Sequence, residues 1–170
     1  NTAKKYWPVI VIIAIISFSM WIRLVGFFNP DGTTKWEYLR NIDSYFFLKY
    51  TRMTVENGGV VPAIDTTIFA PYGGSHLGGL VFYPYLSAYA FDILNIFINM
   101  SLEYFMAWFS VLLASLIVIP TYYIGKEMFD KKAGILAALF MVLAVPLISR
   151  TLGGDPDSDA IVMLLMISSI

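Results

Sequence analysis

Apolar positions along this chain gather into long uncharged runs. Four windows contain no Asp, Glu, Lys or Arg: residues 6–22, 104–125, 133–149 and 160–170. A bilayer-crossing helix needs about 20 mainly apolar residues, with a range of roughly 17–25. The pattern therefore predicts spans over about 6–28, 104–125 and 132–149, and a fourth from 160 to 170 onward. Residues 66–91 are also uncharged, but Pro71, Gly73-Gly74, Gly78-Gly79 and Pro84 interrupt them, so no span is predicted there. The run from Val9 to Ile16 has the length of a signal-peptide core. No convincing small-residue cleavage site follows, and the run continues through Trp21, Ile22 and Leu24, which favours a retained transmembrane helix. The last window reaches Ile170 still apolar, and Asn1 stands in place of Met, so the sequence is expected to be a fragment.

The few charges orient these spans. Lys4 and Lys5 precede the first, and Lys126, Lys131 and Lys132 lie in the link between the second and third. Lysines clustered at span ends mark the cytoplasmic side. The external loops are then about 29–103 and 150–159. The longer one carries Trp36, Phe46, Phe47, Phe69, Tyr72, Phe82, Tyr83 and Tyr85, too much apolar surface for a disordered linker. It is expected to fold against the membrane surface, with helical patterning over 43–56 and 84–98. Phe82, Tyr83 and Tyr85 read as interfacial belt residues, and His76, among glycines, as an exposed loop residue. Arg23 is placed near a span end, where a long side chain can snorkel to water. Pro120 and Pro146 are expected to kink their helices near the ends.

Composition narrows the class. Residues are 58% hydrophobic, 14% are charged and the mean hydropathy is +0.71, whereas soluble domains carry about a quarter charged residues. A formal net charge of -1 supports no nucleic-acid partner. With no cysteine and one histidine, thiolate chemistry and multi-imidazole metal sites are excluded. Any metal held by this chain must rely chiefly on oxygen ligands.

Two acidic positions are candidates for chemistry. On the helix over 43–56, Lys49, Arg52 and Glu56 share a solvated stripe, while Asp43 is the one charge on the face of Phe46, Phe47 and Tyr50. Asp43 is either a helix cap for the Tyr45 or Phe46 amide or a carboxylate held at the membrane surface for a metal ion. The run Gly153-Gly154-Asp155-Pro156-Asp157-Ser158-Asp159 places three aspartates within five residues. It reads either as a helix start at Asp155-Pro156, complemented by the later acids, or as oxygen-only ligation of Mg²⁺ or Mn²⁺. The topology delivers Asp43, Asp157 and Asp159 to one membrane face. Arg150, at the outer end of the third span, is either an interfacial anchor or a phosphate partner. Asn99-Met100-Ser101 matches a glycosylation sequon but lies in an apolar stretch and is taken as a chance match.

These residues carry a resemblance. Ser149-Arg150-Thr151-Leu152-Gly153-Gly154-Asp155-Pro156-Asp157-Ser158-Asp159-Ala160 resembles the second external loop of oligosaccharyltransferase catalytic subunits, where Ser-Arg-Ser/Thr and a glycine precede an Asp-x-Asp/Glu pair. Asn41-Ile42-Asp43-Ser44-Tyr45-Phe46 resembles that family's first motif, and Phe82-Tyr83-Pro84 and Tyr123-Ile124-Gly125-Lys126-Glu127 are similar in order and spacing. Asp155 and Pro156 depart from the small or aromatic residues common there, which leaves open which aspartates ligate; Asp157 and Asp159 are favoured.

The resemblance implies an all-α integral membrane fold, a multi-span helical bundle of the GT-C-like glycosyltransferase type, with the long external loop holding membrane-surface helices. It implies inverting transfer of a preassembled glycan from a polyprenyl (dolichyl) pyrophosphate to the Asn of Asn-x-Ser/Thr in an acceptor protein. By the same implication Asp43, Asp157 and Asp159 surround Mn²⁺ or Mg²⁺, with Arg150 close by and Asp43 also bonding the acceptor amide. The family's later catalytic acid and sequon pocket would lie beyond Ile170, so the fragment alone is expected to be inactive. A polyprenyl-monophosphate-sugar O-glycosyltransferase is the alternative enzyme, but such relatives place their acidic pair after the first span. A non-enzymatic transporter or structural subunit is the other alternative; a transporter predicts ionisable residues inside spans, and these are clean except for Arg23. The absence of cysteine favours an archaeal or bacterial cell membrane, with the endoplasmic reticulum membrane expected for a eukaryotic source.

Overall fold

The computed structural model describes residues 2–27, 29, 31, 33, 39–75 and 82–170, with backbone alone for 2–5. Trp36, His76, Gly78, Gly79 and the Lys4 and Lys5 side chains, used in the sequence reading, lie outside the described residues. The described residues form eight helices and one two-residue hairpin. In chain order these are α1 (Thr2–Leu24), α2 (Ile42–Glu56), β1 (Ile64–Asp65), β2 (Gly74–Ser75), α3 (Phe82–Asn95), α4 (Leu102–Leu116), α5 (Val118–Met128), α6 (Lys131–Leu143), α7 (Val145–Arg150) and α8 (Asp159–Ser168). The strands are antiparallel, Ile64 opposite Ser75 and Asp65 opposite Gly74.

Among the described residues two stretches are long and apolar enough to cross a membrane, Tyr6–Leu24 and Leu102–Met128. The second starts at Ser101, the last residue of the sequon-like triplet, whose Oγ caps the Tyr104 amide at 3.2 Å. It is jointed at Ile117, three residues before Pro120, because proline has no N–H to continue the ladder. The joint falls well inside the span instead of near its end. The window at 132–149 does not form one helix. α6 ends at Leu143, Ala144 is extended, and α7 begins afresh with Pro146 in its first turn, where a missing N–H costs nothing. The helices expected over 43–56 and 84–98 are present as α2 at 42–56 and α3 at 82–95.

The main core joins α2, α3, α4 and α8 through Phe47, Tyr83, Phe91, Phe105, Phe109 and Ile161. Aromatic pairs hold it, with Phe47 edge-on to Tyr83 at 5.3 Å between centroids and Phe105 stacked on Phe109 at 4.7 Å. Tyr83 is thus a core residue, 1% exposed, and not a belt residue; Phe82 is the exposed one. A second cluster joins α1, α5 and α6 through Ile15, Val118, Tyr122, Ala138 and Val142. α5 and α6 form a tight hairpin. A Cβ on Gly134 would meet the Tyr122 carbonyl at 2.5 Å, so only glycine permits this approach.

Outward-facing apolar side chains line α1 (Ile10, Ile13, Trp21), α6 (Leu136, Phe140) and α8 (Leu165, Met166). Apolar side chains exposed on long apolar helices are the surface a bilayer would cover.

Candidate functional site

The site is the 150–159 loop and what holds it. At its start the buried Arg23 of α1 donates through Nε to Thr151 Oγ1 at 2.9 Å and through Nη1 to Ser19 Oγ at 2.7 Å. Thr151 Oγ1 passes its own proton to the Leu147 carbonyl at 2.6 Å. The Arg23 carbonyl accepts from the Gly153 amide at 3.0 Å. Arg23 therefore does not snorkel: it is 1% exposed and serves the loop from inside.

Next, the Gly154 amide donates to the Ala107 carbonyl of α4 at 2.9 Å, and the Gly154 carbonyl accepts from the Arg40 amide at 2.9 Å. Gly154 sits at φ +80°, and a Cβ there would stand 2.1 Å from the Phe27 ring. Both the left-handed backbone and the missing side chain are required. One residue on, Asp155 Oδ1 accepts from Ser44 Oγ at 2.7 Å. Ser44 follows Asp43 in the first turn of α2, so the two acidic motifs lie on neighbouring backbone segments although 111 residues separate Ser44 from Asp155.

Neither simple helix-start reading describes the geometry. Asn41, not Asp43, occupies the N-cap of α2; Asp43 lies in the first helical turn, exposed, where its charge complements the helix dipole. α8 begins at Asp159, leaving Asp155 and Pro156 in the loop. Asp157 Oδ1 accepts from the Ser158 amide at 2.5 Å. Burial pushes the Asp159 carboxyl above its usual range, and the charges of Asp157 and Asp155 add to this against Arg150. Beneath the loop, burial raises the Tyr83 hydroxyl, and the charges of Asp157 and Asp155 raise it further. Among the described residues no three His, Cys, Asp or Glu side chains stand close enough to hold a metal ion by themselves. Asp43, Asp157 and Asp159 are delivered to adjacent segments without being gathered into a shell.

Arg150 ends α7, exposed, and with Asp159 lines a cavity of about 380 Å³ whose other walls include Met141, Leu147, Val162 and Met163. A cation and a carboxylate thus border an apolar recess between α6, α7 and α8.

The family model described as "Oligosaccharyl transferase STT3, N-terminal" matches residues 9–170. The chain belongs to this oligosaccharyl transferase family. It is 28% identical over 145 residues to dolichyl-phosphooligosaccharide-protein glycotransferase 3 of Archaeoglobus fulgidus, covering 84% of this chain and 16% of that protein. It is 26% identical over 176 residues to the dolichyl-diphosphooligosaccharide–protein glycosyltransferase subunit stt3 of Schizosaccharomyces pombe, covering 98% and 22%. Among solved structures, the fold matches the archaeal oligosaccharyltransferase AglB from Archaeoglobus fulgidus in complex with an inhibitory peptide and a dolichol-phosphate, at TM-score 0.82 and 24% identity, over 99% of this chain and 19% of that one. It also matches the Archaeoglobus fulgidus oligosaccharyltransferase tethered to an acceptor peptide containing the NVT sequon, at TM-score 0.80 and 24% identity, over 98% and 20%. The chain therefore spans about a fifth of the length of these oligosaccharyltransferase relatives.

Sequence reasoning singled out Asp43, Arg150, Asp157 and Asp159 but missed Arg23, Ser44 and Tyr83 as residues around the site. For Arg23 a signal existed, since it is the one charge within the first predicted span. Ser44 and Tyr83 carry no such mark, because only the folded packing brings them to the loop.

Proposed function

We propose that the protein to which this chain contributes transfers a preassembled oligosaccharide from a polyprenyl or dolichyl pyrophosphate to the Asn of Asn-x-Ser/Thr sequons. It does so at the outer face of an archaeal or bacterial cell membrane, with the N-terminus and the 126–132 link inside. The observation that carries this reading is that Arg150 and Asp159 both line one apolar cavity. Such a recess suits a ligand with a phosphate head and a hydrocarbon tail. The relatives' names, which specify dolichyl-linked oligosaccharide donors, agree with that chemistry.

In this reading Arg150 pairs with the donor phosphate through charge-assisted hydrogen bonds. Asp157 and Asp159, with Asp43 from α2, would hold Mn²⁺ or Mg²⁺. These donors are all carboxylate oxygens, the kind a hard divalent cation takes, and the repulsion of Asp157 and Asp155 on Asp159 is one that such a cation would relieve. Once bound, the ion supplies Lewis-acid stabilisation of the pyrophosphate leaving group. Asp43 also accepts hydrogen bonds from the acceptor amide. That amide is a poor nucleophile because its nitrogen lone pair is delocalised into the carbonyl. Carboxylate bonds to its N–H groups twist it and release the lone pair for attack opposite the leaving group, which inverts the sugar's anomeric configuration.

The test uses the full-length protein in detergent with a lipid-linked glycan and a fluorescent Asn-x-Thr peptide, comparing wild type with Asp157→Asn, each with and without Mn²⁺. Metal-dependent glycopeptide from wild type and little from the variant is expected. An unimpaired Asp157→Asn would remove the metal assignment, and no product from wild type with a verified donor would remove the reaction.

A further inference from the structure

Asp155 sits in an environment that differs from that of the other two aspartates of the loop. Its Oδ1 accepts the hydroxyl proton of Ser44, a side chain with no exposed surface. Beside this contact the Arg40 amide donates to the Gly154 carbonyl at 2.9 Å. Two consecutive loop residues thus grip the chain just before and just inside α2, and Asp43 lies between the gripped positions. The loop half of the grip is itself anchored. The Gly154 amide bonds Ala107 of α4, the Gly153 amide bonds Arg23 of α1, and the Asp155 carbonyl accepts from Ser110 Oγ of α4 at 3.5 Å. The Asn41 N-cap of α2 makes no side-chain capping bond.

We infer that Asp155 is a positioning residue: through Ser44 it fixes the first turn of α2, and with it Asp43, relative to the loop that carries Asp157 and Asp159. The inference deepens the proposed function and rests on it for its catalytic consequence, while the tie itself rests on the Ser44 and Arg40 contacts. The role requires an acceptor atom at position 155, not a negative charge. An asparagine retains that atom in its amide carbonyl, whereas alanine does not. A metal ligand would behave oppositely, because an amide is a much weaker partner for a hard divalent cation than a carboxylate.

The full-length protein carrying Ser44→Ala, Asp155→Ala, Asp155→Asn or the double alanine change is examined in two ways. Hydrogen exchange of the amides around 40–46 and 153–157 reads the tie without reference to activity. Glycopeptide formation against Mn²⁺ concentration reads its consequence. Faster exchange is expected in both segments for each alanine variant, and wild-type exchange for Asp155→Asn. The Mn²⁺ concentration for half-maximal rate should rise about tenfold in each alanine variant, the scale of outer-shell changes at metal sites. It should rise no further in the double variant, because the two side chains make one interaction, and the rate at saturating Mn²⁺ should be largely recovered. Exchange in Asp155→Asn as fast as in Asp155→Ala, or unchanged exchange in Ser44→Ala, overturns the inference. An inactive wild type would remove the proposed function, and the exchange data would still decide the tie.

Discussion

Arg23 Nε and Thr151 Oγ1 are joined at 2.9 Å across 128 residues of chain, tying the end of α1 to the beginning of the acidic loop. Both residues are fully buried, and Ser19, one helical turn earlier, accepts from Arg23 Nη1, while Nη2 has no hydrogen-bond partner among the described residues. A charge in this position persists only because the loop and the helix supply its oxygens. The same residue's carbonyl takes the Gly153 amide, so a single position on α1 holds the loop at two points.

Thr151→Val follows directly. Valine matches the shape of threonine but removes the acceptor for a buried guanidinium, and a buried polar group deprived of its partner costs about 1–3 kcal/mol, more when charged. Thermal unfolding of the full-length protein in detergent should show a loss of that order. Thr151→Ser keeps the hydroxyl and should lose clearly less; a Thr151→Val variant as stable as wild type, or no less stable than Thr151→Ser, would contradict the role given to the hydroxyl.

Gly154→Ala tests the backbone of the loop. It combines a positive φ with a Cβ placed 2.1 Å from the Phe27 ring. The left-handed conformation alone costs roughly 1–2 kcal/mol for an L-residue. Trimming the ring with Phe27→Leu in the Gly154→Ala background should recover the steric part and leave the backbone part. Complete recovery of stability in the double variant would mean that φ is not constrained at this position.

Asp65 gives the surface segment a pH dependence. Burial pushes its carboxyl up, but hydrogen bonds from Lys49, Thr67 and Tyr50 outweigh this and hold it well below the ordinary 3.8. The folded state therefore binds the proton more weakly than the unfolded state. The stability it contributes is present above about pH 4 and is lost as the pH falls below the ordinary carboxylate value toward the depressed folded one. Protease cleavage near the β1–β2 hairpin should accelerate on acidification below pH 4 in wild type and change much less in Asp65→Asn. Matching acid profiles for the two would contradict this.

Much of the helix placement was legible because long apolar runs and period-3.6 stripes are strong signals: α2 begins one residue from its expected start. The interruption at Ala144 was not, since an uncharged window looks the same whether Pro146 kinks one helix or starts another. The acidic loop was visible as composition, but its roles were not. The sequence reads Asp155 as a helix start and favours Asp157 and Asp159 as ligands, but the contact of Asp155 with Ser44 exists only in the fold. Tyr83 looked like an interfacial aromatic, because a sequence does not show that α3 turns this ring into the core between Phe47 and Phe109. Arg23 was read as reaching for water, when its partners were Ser19, one turn away, and Thr151, which only the tertiary fold brings near.

In the proposed mechanism Asp43 and Asp157 act as one unit from two parts of the chain. The most direct measurement is glycopeptide formation by the full-length protein at fixed Mn²⁺ for wild type, Asp43→Asn, Asp157→Asn and the double variant. Groups that act together are strongly non-additive. Each single change should abolish most of the rate, by about a hundredfold or more in keeping with the loss of one principal charge-stabilising group, and the double variant should be scarcely slower than either. Two modest losses that multiply in the double variant would show independent residues and contradict the account.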